Sequence, residues 1–543
     1  MTSSTVLSAS TSTRYCVPRR LGRIRSGGVN TLVRLRLNKR VAGAAVALLT
    51  SALTTSGCIL PLPDFGGRPE AAAVSPEPGW RLCPEIAADL LGKAPSGYTF
   101  ECKTVKVPQD WNKPDDGQTF DIEVMRARAT DQRDRIGALM VNPGGPGASG
   151  VDLAAYLTLG LPAEITRRFD IVGFDPRGVG RSTPVDCYTD ADLDATFASE
   201  PDPVTPEEFA DALALTKRMA DGCKAKYGDR LGLFATVQAA RDMEAIRLSL
   251  GEGKMNYLGY SYGTLLGAVY AQLYPKNIRA MVLDGAVDPL QTSIESSESQ
   301  AMGFERAFDN FAAWCAKNKN QCPIDGDARA VVDKLMQEAQ TNPVGNPDGR
   351  KATAGWIFWG VVSSLYTQAR WPDLGQALAD LQDGKSEAIF ALADSYADRD
   401  ANGEYTNLFD ANAAVNCADD GKPASVEEIR RLQSEWRQKY PLFGAPLAVG
   451  MLTCSVWPAK RDPYPTGKAE GAPPILVVGT KGDPATPYEQ TQKLADMLGV
   501  GVVLTWDGEG HTAYPETRCI NKHVNDFLIN LVVPPPGTVC PPQ

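Results

Sequence analysis

Short apolar runs recur along this chain, separated by stretches in which apolar and polar residues alternate with a helical spacing. Runs at 104–107, 121–128, 138–142, 170–174, 255–260, 280–284, 475–479 and 502–506 predict strands. Several are apolar almost throughout, as strands covered on both faces of a parallel sheet must be. Helical spacing appears between them, for instance over 239–250 and 264–273. Regular β/α alternation predicts an α/β fold with a doubly wound, mostly parallel sheet.

The alternation stops between 290 and 457. That segment is rich in Ala, Asp, Lys, Gln and Trp, with helical periodicity over 301–317 and 426–437 and few strand-like runs. It predicts a helical cap inserted after the sixth main strand. The expected organisation is a signal peptide at 1–57, a tether at 58–79, the first part of the core at 80–289, the cap at 290–457, the second part of the core at 458–533, and a Pro-rich tail at 534–543.

The N-terminal segment changes the setting. Arg34, Arg36, Lys39 and Arg40 precede an apolar run from 41 to 53, too short to span a bilayer comfortably but suited to a signal sequence. The run ends at Thr55-Ser56-Gly57-Cys58, a small-small-Cys ending that resembles the lipobox of bacterial lipoproteins. That resemblance implies cleavage before Cys58 and lipidation of its thiol, with Thr55 standing where Leu is usual. The expected location is outside the cytoplasmic membrane, attached only through an N-terminal lipid. Ordinary signal cleavage nearby is the plainer alternative.

Twelve cysteines fit an exported protein better than a cytosolic one. With Cys16 lost and Cys58 lipidated, ten remain. Short loops favour pairing neighbours: Cys83 with Cys102, Cys187 with Cys223, Cys315 with Cys322, Cys417 with Cys454, and Cys519 with Cys540. Sequence alone does not fix that connectivity. No metal site is expected, because no C-x-x-C pair exists and only two histidines occur.

The net charge is −10, and the first 57 residues carry nine basic residues and no acid. Removing them leaves 46 basic against 65 acidic residues, a balance of −19. Nucleic acid is excluded as a partner, since phosphate recognition needs a basic surface.

The candidate chemistry lies at strand ends. Gly259-Tyr260-Ser261-Tyr262-Gly263 follows one strand and opens a helix. A G-x-S-x-G segment in that setting lifts a serine above the sheet as a nucleophile. Serine needs a base, and imidazole suits neutral pH. His511, in Gly508-Glu509-Gly510-His511-Thr512, follows the last predicted strand, whereas His523 lies at the edge of the apolar face of a helix and reads as structural. Asp483, after the 475–479 strand, is the expected partner that orients the imidazole. Asp284 and Asp288 are runner-up acids. Asn142-Pro143-Gly144-Gly145-Pro146-Gly147 follows the third main strand, and the backbone N–H groups of Gly145 and Tyr262 are the expected oxyanion donors. A glycine-rich turn and surface aspartates are the plainer reading of each motif alone; their order after successive strands argues against it.

Together, N-P-G-G-P-G, the G-F-D-P-R-G-V-G-R-S of 173–182, G-Y-S-Y-G, G-D-P-A-T-P and G-H-T closely resemble the proline iminopeptidase and tripeptidyl aminopeptidase group of α/β-hydrolases, over roughly 80–530. The resemblance implies a triad of Ser261, Asp483 and His511, with no cofactor. Asn142 stands where many relatives have His, and the 175–182 loop is expected to be structural. The cap segment Ala414-Val415-Asn416-Cys417-Ala418-Asp419 also resembles a family motif, and Asp419 or Asp420 would bind a substrate α-ammonium. The expected activity is release of short peptides from free N-termini. The alternatives are a carboxylesterase using the same triad, with Trp314, Trp356 or Trp359 flooring an acyl pocket, and a lipid-anchored binding protein without catalysis.

Overall fold

A computed structural model describes residues 79–542. The signal, lipidation and tether expectations, including Cys58, lie outside the described residues.

Among the described residues twelve strands occur: β1 (Arg81–Leu82), β2 (Tyr98–Pro108), β3 (Thr119–Ala129), β4 (Gly137–Asn142), β5 (Phe169–Phe174), β6 (Met255–Tyr260), β7 (Ile278–Asp284), β8 (Val344–Gly345), β9 (Lys351–Ala352), β10 (Ile475–Gly482), β11 (Gly501–Glu509) and β12 (Val539–Cys540). Ten form one sheet in the order β1-β2-β3-β5-β4-β6-β7-β10-β11-β12. Pairing is antiparallel from β1 to β5 and parallel across β5, β4, β6, β7, β10, β11 and β12. Every residue of β4, β5 and β6 is buried, which is why these strands read as apolar almost throughout, with Asn142, Asp170 and Asn256 the buried polar exceptions.

Two apolar layers sandwich the sheet. One packs the helices Thr236–Ser249, Tyr262–Leu273 and Glu489–Leu498 against it; the other packs Pro84–Leu91, Gly150–Gly160 and Arg518–Asn530. Chain order reverses around β4, which lies between β5 and β6. In such sheets ligands bind beyond the carboxyl ends of the strands at the reversal, and here the 143–148 loop and Ser261 emerge there.

Between β7 and β10 the chain forms helices, from Ser293–Lys317 to Leu452–Ser455, and the two-residue hairpin β8–β9. These helices hold a core of their own around Phe304, Phe308, Trp356, Trp371 and Phe443. Trp356 is buried there, stacked on Phe197 at 5.5 Å, so it supports the cap rather than a pocket.

Five disulfides join Cys83–Cys102, Cys187–Cys223, Cys315–Cys322, Cys417–Cys454 and Cys519–Cys540. Each links neighbouring cysteines, as the short loops favoured. The segment read as a tail does more than trail: β12 adds a parallel strand beside β11, and Cys540 ties it to the last helix.

Candidate active site

Ser261 stands at the turn between β6 and the helix Tyr262–Leu273, with φ 55° and ψ −126°. A non-glycine residue in that region is strained, and such strain is characteristic of a nucleophile turn. The flanking glycines serve close approach. A Cβ on Gly259 would lie 2.4 Å from the Gly263 carbonyl oxygen, and one on Gly263 would lie 2.8 Å from Asn142 Oδ1.

The loop after β4 presses on this turn. A Cβ on Gly144 would sit 2.8 Å from Ser261 Cβ and 2.9 Å from Tyr262 N. Asn142 Oδ1 accepts the Gly144 N–H at 3.0 Å, which shapes the loop without a histidine. Gly145 follows with φ 107°, and among the described residues no carbonyl accepts its N–H. Tyr262 is the first residue of its helix, where N–H groups lack an intrahelical partner. Both expected oxyanion donors therefore lie beside the serine.

Asp483 is fully buried after β10, and its carboxylate gathers donors from two loops. Oδ1 accepts from Ala485 N at 2.9 Å and Thr486 N at 2.8 Å, and Oδ2 accepts from the Thr486 hydroxyl at 2.9 Å. His511 Nδ1 lies 2.9 Å from Oδ1 and 3.0 Å from Oδ2. Burial opposes a charged imidazolium, but the charge and hydrogen bond of Asp483 outweigh it and hold His511 above its ordinary value.

The end of β7 lies against both Ser261 and His511. Ser261 N–H donates to the Asp284 carbonyl oxygen at 2.9 Å. A Cβ on the next residue, Gly285, would lie 3.2 Å from His511 Cε1. The cap completes the surround: the Tyr366 carbonyl accepts His511 N–H at 2.8 Å, and its ring stands edge-on to the imidazole with centroids 5.4 Å apart.

The cap helix Leu408–Asp419 lies over the 143–148 loop. A Cβ on Gly147 would meet the Leu408 carbonyl oxygen at 2.4 Å, and Asn412 Nδ2 donates to the Pro146 carbonyl at 2.9 Å. Further along, Asn416 Nδ2 donates to Asn412 Oδ1 at 2.9 Å. At its end, Asp419 accepts the Thr236 N–H at 2.8 Å and the Thr236 hydroxyl at 2.5 Å, and that hydroxyl lies 2.6 Å from Tyr262 Oη. Burial pushes the Asp419 carboxyl up to about 7 against these bonds, and the neighbouring charge acting on it is another acid, Asp462. Asp420, beside it, caps Lys422 N–H at 3.0 Å, and its charge acts on Arg461.

The 175–182 loop is structural, as expected. Asp175 caps the helix Gly150–Gly160 through Val151 N–H, and buried Arg177 pairs with Asp242 at 2.6 Å. His523 lies within 4.8 Å of Cys519 and Cys540, but both sulfurs are spent in a disulfide and are not thiolate ligands. Thr486, Tyr366 and Thr236 escaped the sequence reading. Only Thr486 left a local signal there, three residues after Asp483, where a hydroxyl reaches back to a carboxylate.

Fold and site together define an α/β-hydrolase. Residues 137–340 match the family model described as alpha/beta hydrolase fold, and residues 440–540 match the one described as TAP-like protein. Serine protease Hip1 of Mycobacterium tuberculosis is 37% identical over 93% of this chain and 100% of its own length. Carboxylesterase B of the same species is 37% identical over 88% of this chain and 93% of its own. The tripeptidyl aminopeptidase of Streptomyces lividans is 32% identical over 79% and 81%. The chain belongs to this family of α/β-hydrolases, and it is a serine hydrolase.

Proposed function

We propose that this protein is an exported aminopeptidase that releases tripeptides from free N-termini. The observation that carries the reading is His511 Nδ1 held against buried Asp483, with Ser261 on a strained turn whose N–H is held by β7, the strand that also leads to Gly285 behind the imidazole. Nδ1 is occupied, so Nε2 is the nitrogen that takes the serine proton.

Ser261 Oγ attacks the scissile carbonyl carbon as its proton passes to His511 Nε2. The oxygen that gains charge is held by the N–H groups of Gly145 and Tyr262. Collapse expels the amine, which takes the proton from His511. Water then adds to the acyl-enzyme, giving its proton to His511, and Ser261 recovers its own as the tripeptide acid leaves.

Free N-termini are the inferred requirement because Asp419 is a carboxylate without a basic neighbour acting on it, tied through Thr236 to the residue after the nucleophile. A substrate ammonium would supply the missing charge. The stripe Asn412–Asn416–Asp419 runs about 10 Å along the helix, close to three residues of extended chain. Export and a lipid on Cys58 are supported by the N-terminal pattern and by five disulfides.

The test compares a free tripeptide anilide, its N-acetyl form and a nitrophenyl butyrate. Fast turnover of the free anilide alone is expected; equal rates on the free and acetylated forms defeat the aminopeptidase reading. A carboxylesterase is the second reading, favoured by half-buried aromatics on the cap. Tyr396 lies 6.0 Å from Tyr366 and stacks on Trp359 at 5.0 Å, an apolar wall suited to an acyl chain. Butyrate turnover far above the anilide rate would select it.

A further inference from the structure

Asp284 sits at the end of β7, fully buried, and takes no part in the proposed proton transfers. Its two ends face the two halves of the site. The main-chain carbonyl accepts Ser261 N–H at 2.9 Å, at the strained turn itself. The carboxylate accepts Ala513 N–H at 3.0 Å through each oxygen and Tyr514 N–H at 2.7 Å, which fixes the backbone just past His511. The next residue, Gly285, lies directly behind the imidazole: a side chain there would meet His511 Cε1 at 3.2 Å and Thr486 Oγ1 at 3.1 Å. One dipeptide therefore touches the nucleophile turn, the base and the hydroxyl that braces the base's partner.

We propose that Asp284 is a positioning residue for the hydrolytic step, holding the serine turn and the histidine loop in register and adding a second negative charge behind the imidazole. This rests on the assignment of Ser261 and His511 given above. Two loops that meet only across a sheet have no covalent reason to keep their spacing, and small misplacement of reacting groups costs large factors in rate. A carboxylate that satisfies two N–H groups of one loop while its own backbone satisfies the other removes that freedom. The charged groups acting on Asp284 are His511 and Asp483. Burial pushes its carboxyl up to about 7, against the Tyr514 and Ala513 bonds. An ionised Asp284 favours the imidazolium that forms as Ser261 attacks, adding to the effect of Asp483.

Two full-length variants test this on whichever substrate the wild type turns over, anilide or butyrate. Asp284→Asn keeps the size and one acceptor oxygen but loses the charge. It is expected to lower kcat about tenfold to a hundredfold with KM within about twofold, a loss on the scale of charge-assisted hydrogen bonds. The acid limb of kcat/KM should move to lower pH by about one unit, since a negative neighbour of the base is gone. Asp284→Glu keeps the charge and displaces the bonds, so kcat falls while the acid limb stays near the wild-type position. An acid limb that is unmoved in Asp284→Asn, or a kcat loss that tracks only the folded fraction in thermal unfolding, overturns the proposal. Should Asp284→Asn fail to fold, Asp284→Glu decides: wild-type kcat in it also overturns the proposal. Ser261→Ala separates the underlying assignment. If it still turns over substrate and still labels with a fluorophosphonate, the serine reading fails; if it is inert while Asp284→Asn behaves as wild type, only the role of Asp284 fails.

Discussion

The carbonyl oxygen of Tyr366, deep in the inserted domain, accepts the backbone N–H of His511 at 2.8 Å. The base is thus held from below by the sheet and from above by the cap. Asn310 of the cap also reaches Glu509, two residues before the histidine, at 3.0 Å. Cap and core therefore share the histidine loop, and the inserted domain is part of the site's scaffold rather than a cover laid over it.

The pH dependence follows from His511. Its value is raised, and it must be neutral to accept the serine proton. As pH falls through that raised value the base is lost, so kcat/KM should decline at a higher pH than an ordinary imidazole would give. Asp483→Asn removes the largest raising influence and should move the half-point to lower pH, while kcat drops roughly 10⁴-fold because the wrong tautomer is held. A pH profile of both proteins checks the sign.

Thr486→Val removes a hydroxyl that lies 2.9 Å from Asp483 Oδ2 and 3.3 Å from His511 Nδ1, without changing the shape of the residue. We expect kcat to fall about tenfold to a hundredfold, with KM little changed, on the scale of a hydrogen bond to a charged group. Steady-state kinetics on a single substrate suffice, and Thr486→Ser should recover most of the rate.

Asp419→Asn should raise KM for a free tripeptide anilide about tenfold to a hundredfold and leave an N-acetylated or ester substrate nearly unaffected. A loss that is equal across these substrates would mean that the Asp419–Thr236–Tyr262 chain supports the oxyanion donor instead.

Cys417 and Cys454 tie the helix that carries Asp419 to the short helix Leu452–Ser455 across a sequence separation of 37. Replacing both with Ala should cost about 3–4 kcal/mol in stability, from the loop freed in the unfolded chain. It should also raise KM for free N-termini more than for esters, because the end of that helix is what the bond secures. Thermal unfolding and paired kinetics separate the two effects.

Some of this was written locally. Six of the strands paired in parallel announce themselves as nearly apolar runs, because burial on both faces leaves little room for a polar residue. Ser261, Asp483 and His511 each follow a strand by one or two residues, so strand periodicity and a short motif were enough to nominate them. The five disulfides join neighbours in sequence, which is why spacing alone favoured the pairing found. The register of the tail was harder: two residues of β12 are too short to carry a period.

The sequence by itself determined an α/β chain with an inserted helical segment and a serine on a tight turn, and it nominated one histidine and one aspartate to serve that serine, because those features depend on near neighbours. Only the tertiary structure decided that Tyr366 holds the base, that Thr236 links Asp419 to Tyr262, and that Asp284 faces both the serine turn and the histidine loop. Several of these contacts join residues more than a hundred positions apart, and the rest join different elements of the fold. They arise from how the sheet packs and the cap docks, and no periodicity or motif in the chain encodes such docking.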